Sequence, residues 1–433
     1  MSSLIKKHTF LAWAVCGLGT LFYSYEYILR ILPSVMETQL SSHYHLLSSG
    51  FGGLSAFYYY AYVPMQIPVG LLMDRYGPRR LLTLACFLCA LGTYLFAATD
   101  LFYVAAIGRF MVGLGSSFAF VGVLKLATMW LPEDRLAFVA GLAAALGTVG
   151  AWLGDYYLGK FVETLGWIQT TNFMSAYGFF LVIMLYFFIK DRKYSSDNES
   201  QQPVRDFAST IHDLIIIAKN KQIWVNGFYG CLVYLPTTVL AELWGIPYLT
   251  HAHLMSLASA ESANGMIFLG FTFGAPIMGT LSDRFHNRKV PMGIGAIGAF
   301  TAISMVMYFP GLTEQNIRTL LFILGVCYGS QAIVFAVGRE LAPKRAAGTA
   351  MAFTNMIVML GGMFIQPLVG VLLDWHVSIR APLLLAKAQT EASVNVLYTG
   401  IDYQFALMLL PMGILMAFLL TFALKETHSH AVD

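Results

Sequence analysis

Charged side chains are scarce in this sequence. Only 11 % of its 433 residues are Asp, Glu, Lys or Arg, against roughly 25 % in an ordinary soluble domain, while 58 % are hydrophobic. A water-soluble fold of this composition would expose large apolar patches, which water penalises. The net charge of +3 is too small over this length to argue for a nucleic-acid partner. Cysteine is sparse too: Cys16, Cys86, Cys89, Cys231 and Cys327 all fall in apolar stretches. Cys86 and Cys89 form a CxxC without a flanking His or charge, so they read as packing thiols rather than zinc or redox chemistry. The ten histidines converge on no metal pattern, and His43, His45, His251 and His253 are expected in external loops. No GxxxxGK[ST] phosphate loop is present, and the one sizeable polar segment is too short for a nucleotide-binding domain. No nucleophile–base pairing appears either. An enzyme is therefore not expected, no metal or cofactor is called for, and an ion gradient is a better energy source than ATP.

What the chain has instead is long hydrophobic runs. Crossing the hydrocarbon of a bilayer takes about 20 apolar residues. Six runs near 9–37, 48–72, 80–99, 101–130, 135–159 and 172–190 qualify. Six more follow near 222–250, 262–282, 290–309, 316–339, 345–373 and 401–425. Between the two sets lies the charged, Ser- and Gln-rich stretch KDRKYSSDNESQQPVRDF. The expected organisation is a six-helix bundle over 1–190, a cytoplasmic linker over 191–221 and a second six-helix bundle over 222–433. Lys6 and Lys7 precede the first run as they would in a signal peptide, but that run contains Glu26 and Arg30 and lacks a small-residue cleavage site, so it reads as a retained span.

Orientation follows from the bias of Lys and Arg toward cytoplasmic loops. With the N-terminus inside, 19 of the 26 basic residues fall on the cytoplasmic side. Lys160, Arg318, Arg380 and Lys387 fall outside, and Arg30, Arg109 and Lys125 lie within spans. Both termini are expected in the cytoplasm of a bacterial-type cell, with the chain multi-pass in its inner membrane. The sequence also repeats itself. GLLMDRYGPRR begins at Gly70 and GTLSDRFHNRK at Gly279, an offset of 209, while the later landmarks at Gly141 and Gly348 are offset by 207. Duplicated halves of this kind place a solute site at their interface.

An ionised residue at mid-bilayer costs roughly 2.5–3.5 kcal/mol, so such residues turn toward protein or a water-filled cavity. Glu26 and Arg30 stand at i,i+4, where they can pair, and share a stripe with Gly19 and Tyr23. Parallel polar stripes run through Tyr59, Tyr62, Gln66 and Gly70, through Arg109, Gly113, Ser116 and Phe120, and through Gly141, Thr148, Trp152, Asp155 and Gly159. In the second half they involve Glu242 and Trp244, Gln331, and the row Asn355, Met359, Gly362 and Gln366. The expected substrate site is Arg30, Tyr59, Arg109, Trp152, Glu242, Gln331 and Asn355, with Glu26 and Asp155 exchanging a proton. Arg30 or Arg109 would grip an anionic group, best a carboxylate held by two hydrogen bonds. The alternative is a structural network, with Glu26–Arg30 closed on itself or Asp155 bracing Arg109. Lys125 is expected to snorkel to the surface, and the run Tyr58-Tyr59-Tyr60 to pack, with Tyr59 alone reaching the site.

The loop residues Gly70, Leu72, Asp74, Arg75, Gly77, Arg79 and Arg80 resemble the GxLxDRxGRR signature of the major facilitator superfamily. The second copy keeps Asp283, Arg284, Arg288 and Lys289 but has His286 where the first has Gly77, and GRFMVGLGSS around Arg109 is similar to the superfamily as well. The resemblance implies an all-α integral membrane protein of about twelve transmembrane helices in two pseudo-symmetric six-helix bundles. It also implies a cytoplasmic latch formed by Gly70, Asp74, Arg75, Gly77, Arg79, Arg80, Asp283 and Arg284. Asp74 is expected against the positive end of the eleventh helix near Lys344 and Arg345, and Arg75 and Arg80 against Glu133 or Asp134.

Three stretches, YSYEYILRILPSVM, YYYAYVPMQIPVGLLMDRYG and LAELWGIPYL, are similar to the phagosomal nutrient transporters of intracellular bacteria. That narrower resemblance implies uptake of amino acids or nucleosides, with siderophore traffic among the relatives. The block around Glu26 and Arg30 also resembles organic-anion symporters, in which the acid directly precedes the arginine rather than standing four residues before it. The expected function is proton-coupled symport of a small polar solute by a monomer in the lipid bilayer. An exporter on the same fold and a non-transporting solute sensor are the alternatives.

Overall fold

The computed structural model describes residues 2–132, 135–190, 207–383 and 398–428. Among them every regular element is helical, and twelve long helices follow one another antiparallel. We label them α1 (Ser2–Ile31), α2 (Ser48–Met65, continued by Pro68–Tyr76), α3 (Pro78–Ala97), α4 (Phe102–Trp130), α5 (Leu136–Leu165) and α6 (Trp167–Phe188). The series continues with α7 (Lys221–Ala252), α8 (Leu257–Arg284), α9 (Lys289–Tyr308), α10 (Glu314–Glu340), α11 (Lys344–Arg380) and α12 (Gly400–Ala423). All but α1 and α2 are long and apolar enough to cross a membrane. Those two fall outside the set because Tyr, Ser, Gly and charged residues interrupt their apolar rows.

Proline and glycine set the breaks. Pro33 ends α1 short of the expected boundary, and a 3-10 turn at Ser34–Met36 leads into a short helix, Glu37–His43. Pro68 restarts α2 after a bend at residues 66 and 67. Gly77 turns the chain into α3 with φ 80°, a left-handed conformation that costs glycine nothing. His286 takes the same side of φ, at 48°, in the corresponding loop of the second copy. The turn therefore survives the loss of glycine, with some backbone strain. Part of the stretch expected as linker is also ordered: Phe207–Lys219 is a helix, and its Asp213 faces Arg345 at 3.5 Å. Residues 191–206 and Lys387 lie outside the described residues.

Basic residues gather at one end of the bundle, around the loops at 77, 135, 285–288 and 344–346. At the opposite end the helices of the two repeats close on each other. Gly52 of α2 abuts the backbone of Gln366 and Pro367 in α11, and Gly370 of α11 abuts Ser48 and Ser49. Asp374 accepts from Ser49 N–H at 3.0 Å and from the Tyr398 hydroxyl at 2.5 Å, and Tyr398 also accepts from Ser48 N–H at 3.0 Å. Between α5 and α8, Gly159 abuts the Glu261 carboxyl and Gly265 abuts Trp152. At the basic end the same four helices carry Gly70, Gly141, Gly279 and Gly348, and each faces open space.

Candidate functional site

Two helices that depart from α-geometry frame the middle of the bundle. In α7 the stretch Pro236–Trp244 is wound as a π-helix, and in α11 so is Gly361–Ile365. Such wide turns leave carbonyls and side chains out of the ordinary ladder and recur at functional sites. Here the two are stitched together. Gln366 donates to the carbonyl of Thr238 at 2.5 Å, and the Trp244 indole donates to the carbonyl of Gln366 at 3.0 Å. The α7 wide turn carries Glu242 inward, toward α1 and α2.

Arg30 stands at the centre. Its guanidinium donates to both oxygens of Glu26, at 3.1 and 3.3 Å, and lies 3.6 Å from Glu242 Oε1. One acid belongs to the first repeat and the other to the second. Tyr58 donates to Glu26 at 3.1 Å, and Tyr59 donates to Glu242. The rings of Tyr27, Tyr58 and Tyr62 surround the Arg30 guanidinium at 4.5, 5.3 and 5.1 Å. A desolvated cation–π contact is worth about 2 kcal/mol. Tyr27 meets Tyr234 of the second repeat hydroxyl to hydroxyl at 3.1 Å. Glu26, Arg30 and Glu242 are all buried, with 0, 4 and 1 % of their surface exposed. Breaking a buried pair of this kind by removing one partner costs about 3–5 kcal/mol. Spare capacity remains, because Arg30 Nε and Glu242 Oε1 have no hydrogen-bond partner.

The other expected residues are distributed around this cluster. Arg109 turns to backbone: it donates to the carbonyls of Leu29 at 2.8 Å and Arg30 at 3.4 Å, capping the end of α1. It also stacks over Tyr58 at 5.4 Å, so it holds the peptide that carries Arg30 in place. The bracing of Arg109 by Asp155, raised as part of the alternative structural network, is not made. Asp155 is fully buried and accepts from Asn264 of α8 at 2.8 Å. Its second oxygen and Glu261 Oε1 have no hydrogen-bond partner. Trp152 packs on Gly265 in the same α5–α8 seam. Asn355 donates to Gln66 at 2.7 Å across the α2–α11 seam. Gln331 is buried in the 3-10 turn Gly329–Ala332 that interrupts α10.

The latch residues are found within their own repeats. Asp74 is not at the start of α11 as expected. It pairs with Lys125 of α4 at 2.7 Å, because α2 and α11 stand apart at the basic end, and Lys125 thus has a partner instead of merely snorkelling. Arg79 donates to the carbonyl of Tyr186 at 3.0 Å. Glu133 and Asp134, the expected partners of Arg75 and Arg80, lie outside the described residues. In the second copy Arg288 binds Asp283 and Glu340, each at 2.6 Å. Arg284 is exposed beside them. Sequence reasoning passed over Tyr27, Tyr234, Glu261 and Asn264, assigned Tyr58 to packing, and placed Tyr62 on a polar stripe but not in the expected site. The i,i+4 spacing of Tyr23 to Tyr27 and of Tyr58 to Tyr62 was the available signal.

The comparisons with known proteins agree with this architecture. Residues 14–366 match the family model for the Major Facilitator Superfamily. The probable sulfoacetate transporter of Cupriavidus necator is 21 % identical over 393 residues, covering 86 % of this chain and 90 % of its own. The probable galactarate/D-glucarate transporter of Escherichia coli is 22 % identical, over 83 % and 87 % of the two chains. Among solved structures, a bacterial homolog of the human lysosomal transporter Spinster superposes with a TM-score of 0.77 at 17 % identity, covering 96 % of this chain and 98 % of that one. A duplicated set of long apolar helices, a charge cluster shared between the repeats and a family match over most of its length establish that this chain belongs to the Major Facilitator Superfamily.

Proposed function

We propose that this chain is a proton-coupled symporter that carries a small carboxylate-bearing nutrient, an amino acid or a related organic acid, by alternating access. The observation that carries the reading is Arg30, held between one acid from each repeat inside a tyrosine cage. A substrate carboxylate is the right partner for a planar guanidinium, which can grip it with two parallel hydrogen bonds. When that carboxylate takes Arg30, Glu26 or Glu242 loses its cation in a water-poor site and takes a proton instead. Solute and proton then load together, which is a coupling free energy between two sites. The named substrates of the two relatives above carry carboxylates, which fits an arginine anchor. With the basic end in the cytoplasm, the packed seam closes the outer side and the site faces inward.

The test is uptake into proteoliposomes from a panel of labelled amino acids, nucleosides and organic acids, with and without a pH gradient. Glu26→Gln is expected to abolish uphill accumulation while leaving substrate exchange. Loss of both together assigns Glu26 a structural role and removes it from coupling. Arg30→Ala is expected to lose the carboxylate-bearing substrate and to cost about 3–5 kcal/mol of stability, since two buried acids are left without their cation. A folded Arg30→Ala protein that still transports would sink the carboxylate reading.

A further inference from the structure

A second polar feature lies on the outer surface of the bundle, away from the central cluster. At the basic end, α3 and α6 part to leave a crevice of about 530 Å³. Its rim is formed by Arg79 and Arg80, and Thr83, Leu84, Phe87 and Tyr186 continue the walls downward. Among the described residues that line it none is acidic. Arg79 is held in a fixed pose, its Nε donating to the carbonyl of Tyr186 at 3.0 Å and its guanidinium stacked 4.8 Å over the Tyr186 ring. Arg80 is exposed, and no ion pair with an acid is found for it among the described residues. Below the arginines the walls turn apolar while remaining open: Leu84 is 52 % exposed and Phe87 39 %.

We propose that this crevice binds the headgroup of an anionic phospholipid, with the phosphodiester on Arg79 and Arg80 and an acyl chain along Leu84 and Phe87. Three features point to a lipid rather than to a soluble anion. The arginines lie at the mouth of two membrane-spanning helices, at headgroup depth. The groove beneath them is greasy and open sideways, so it presents an acyl-chain surface and not a closed pocket. Its size falls in the range that holds a small-molecule headgroup, roughly 300–1,000 Å³. Basic pockets between membrane helices on the cytoplasmic side bind anionic headgroups for these reasons. Arginine suits the phosphate because its planar fork donates two parallel hydrogen bonds and is easily desolvated. The site is independent of the transported solute.

Native mass spectrometry of the full-length purified chain tests it, with phosphatidylglycerol or phosphatidylcholine added at matched concentration. Phosphatidylglycerol adducts are expected to outlast phosphatidylcholine adducts. The double variant Arg79→Gln, Arg80→Gln is expected to lower phosphatidylglycerol occupancy by roughly tenfold. Arg339→Gln, which removes one exposed charge at the same end, is expected to leave it unchanged. Arg80→Gln alone, at an exposed side chain, tests the site without risk to folding and is expected to give an intermediate loss. Equal adducts from the two lipids, or equal occupancy in the double variant and Arg339→Gln, would overturn the proposal. Displacement of phosphatidylglycerol by inorganic phosphate at the same concentration would overturn it too, assigning the arginines to a free anion.

Discussion

The two ends of the molecule are built from the same four helices and the same residue type, yet they do opposite things. At one end glycines of α2, α5 and α11 let neighbouring backbone and side chains from the other repeat approach closely, and hydrogen bonds from Ser48 and Ser49 fasten the seam. At the basic end Gly70, Gly141, Gly279 and Gly348 meet nothing, and the ion pairs described there bind α2 to α4, the α8–α9 loop to α8 and α10, and the 207–219 helix to the start of α11, none of them joining the two repeats. Small residues are what membrane helices use for close approach, because no hydrophobic force drives them together in lipid. On the alternating access proposed above, a glycine quartet facing open space is a surface for a contact that this conformation does not make. The positions are those at which the sequence repeats, Gly70 with Gly279 and Gly141 with Gly348, so the device is duplicated along with the fold.

Substitutions can break that comparison. The largest effect is expected from Gly370→Leu, which drives a side chain into the backbone of Ser48 and Ser49. Overpacking of this kind costs about 1–3 kcal/mol. The balance of states should shift away from the closed seam, and maleimide labelling of a cysteine placed at Ser49 should rise. Labelling that stays at the parent level would show the seam is not what holds this end shut. Gly348→Leu is the mirror experiment. Thermal stability should change by less than about 0.5 kcal/mol, because the added side chain has room. Transport should nevertheless fall and the Ser49 cysteine should label less, since the opposite conformation can no longer close. Full activity in Gly348→Leu would mean the basic end never packs.

The smallest effect probes order within one repeat. Glu426 ties the α8–α9 loop to the tail, accepting from the N–H groups of Arg288 and Lys289, each at 2.9 Å. Partial burial pushes its carboxyl up, but these backbone donors, with those of Thr427 and His428, more than offset that and hold it below the usual carboxylate range. A carboxyl depressed in the folded state stabilises above its unfolded value, about 4.3, and loses that contribution as pH falls through the folded value. Parent protein should therefore melt slightly above Glu426→Gln at pH 7 and converge with it on acidification below about pH 4. A gap that is constant with pH would remove the charge from the account.

Much of the fold is legible in the sequence, because twelve apolar runs and a duplicated loop are strong signals. The Glu26–Arg30 pair is legible too, from spacing on one helix. Partners across helices are not. Arg109 looks like a site residue because it is charged at membrane depth, but what it binds is backbone carbonyls, and a carbonyl leaves no trace in composition. Tyr58 reads as packing until Glu26 is brought beside it. Glu261 falls just outside the apolar core of its run and so passes for a helix end, whereas α8 begins at Leu257 and buries it. The expected end of the first run, near residue 37, is too late, because the chain stays apolar past Pro33, whereas the helix stops at Ile31. No residue pattern announces the π-wound stretches.

Those stretches carry one more consequence. A wide turn contains a surplus residue relative to the α-helical ladder, and each residue in that ladder turns the helix by about 100°. Rewinding the same residues evenly as an α-helix, with none removed, would advance every later side chain and swing Glu242 around the axis, away from the Arg30 guanidinium. The acid that the second repeat contributes is thus aimed by a defect in winding, and evolution could re-aim it by moving that defect one step along the chain without changing any side chain.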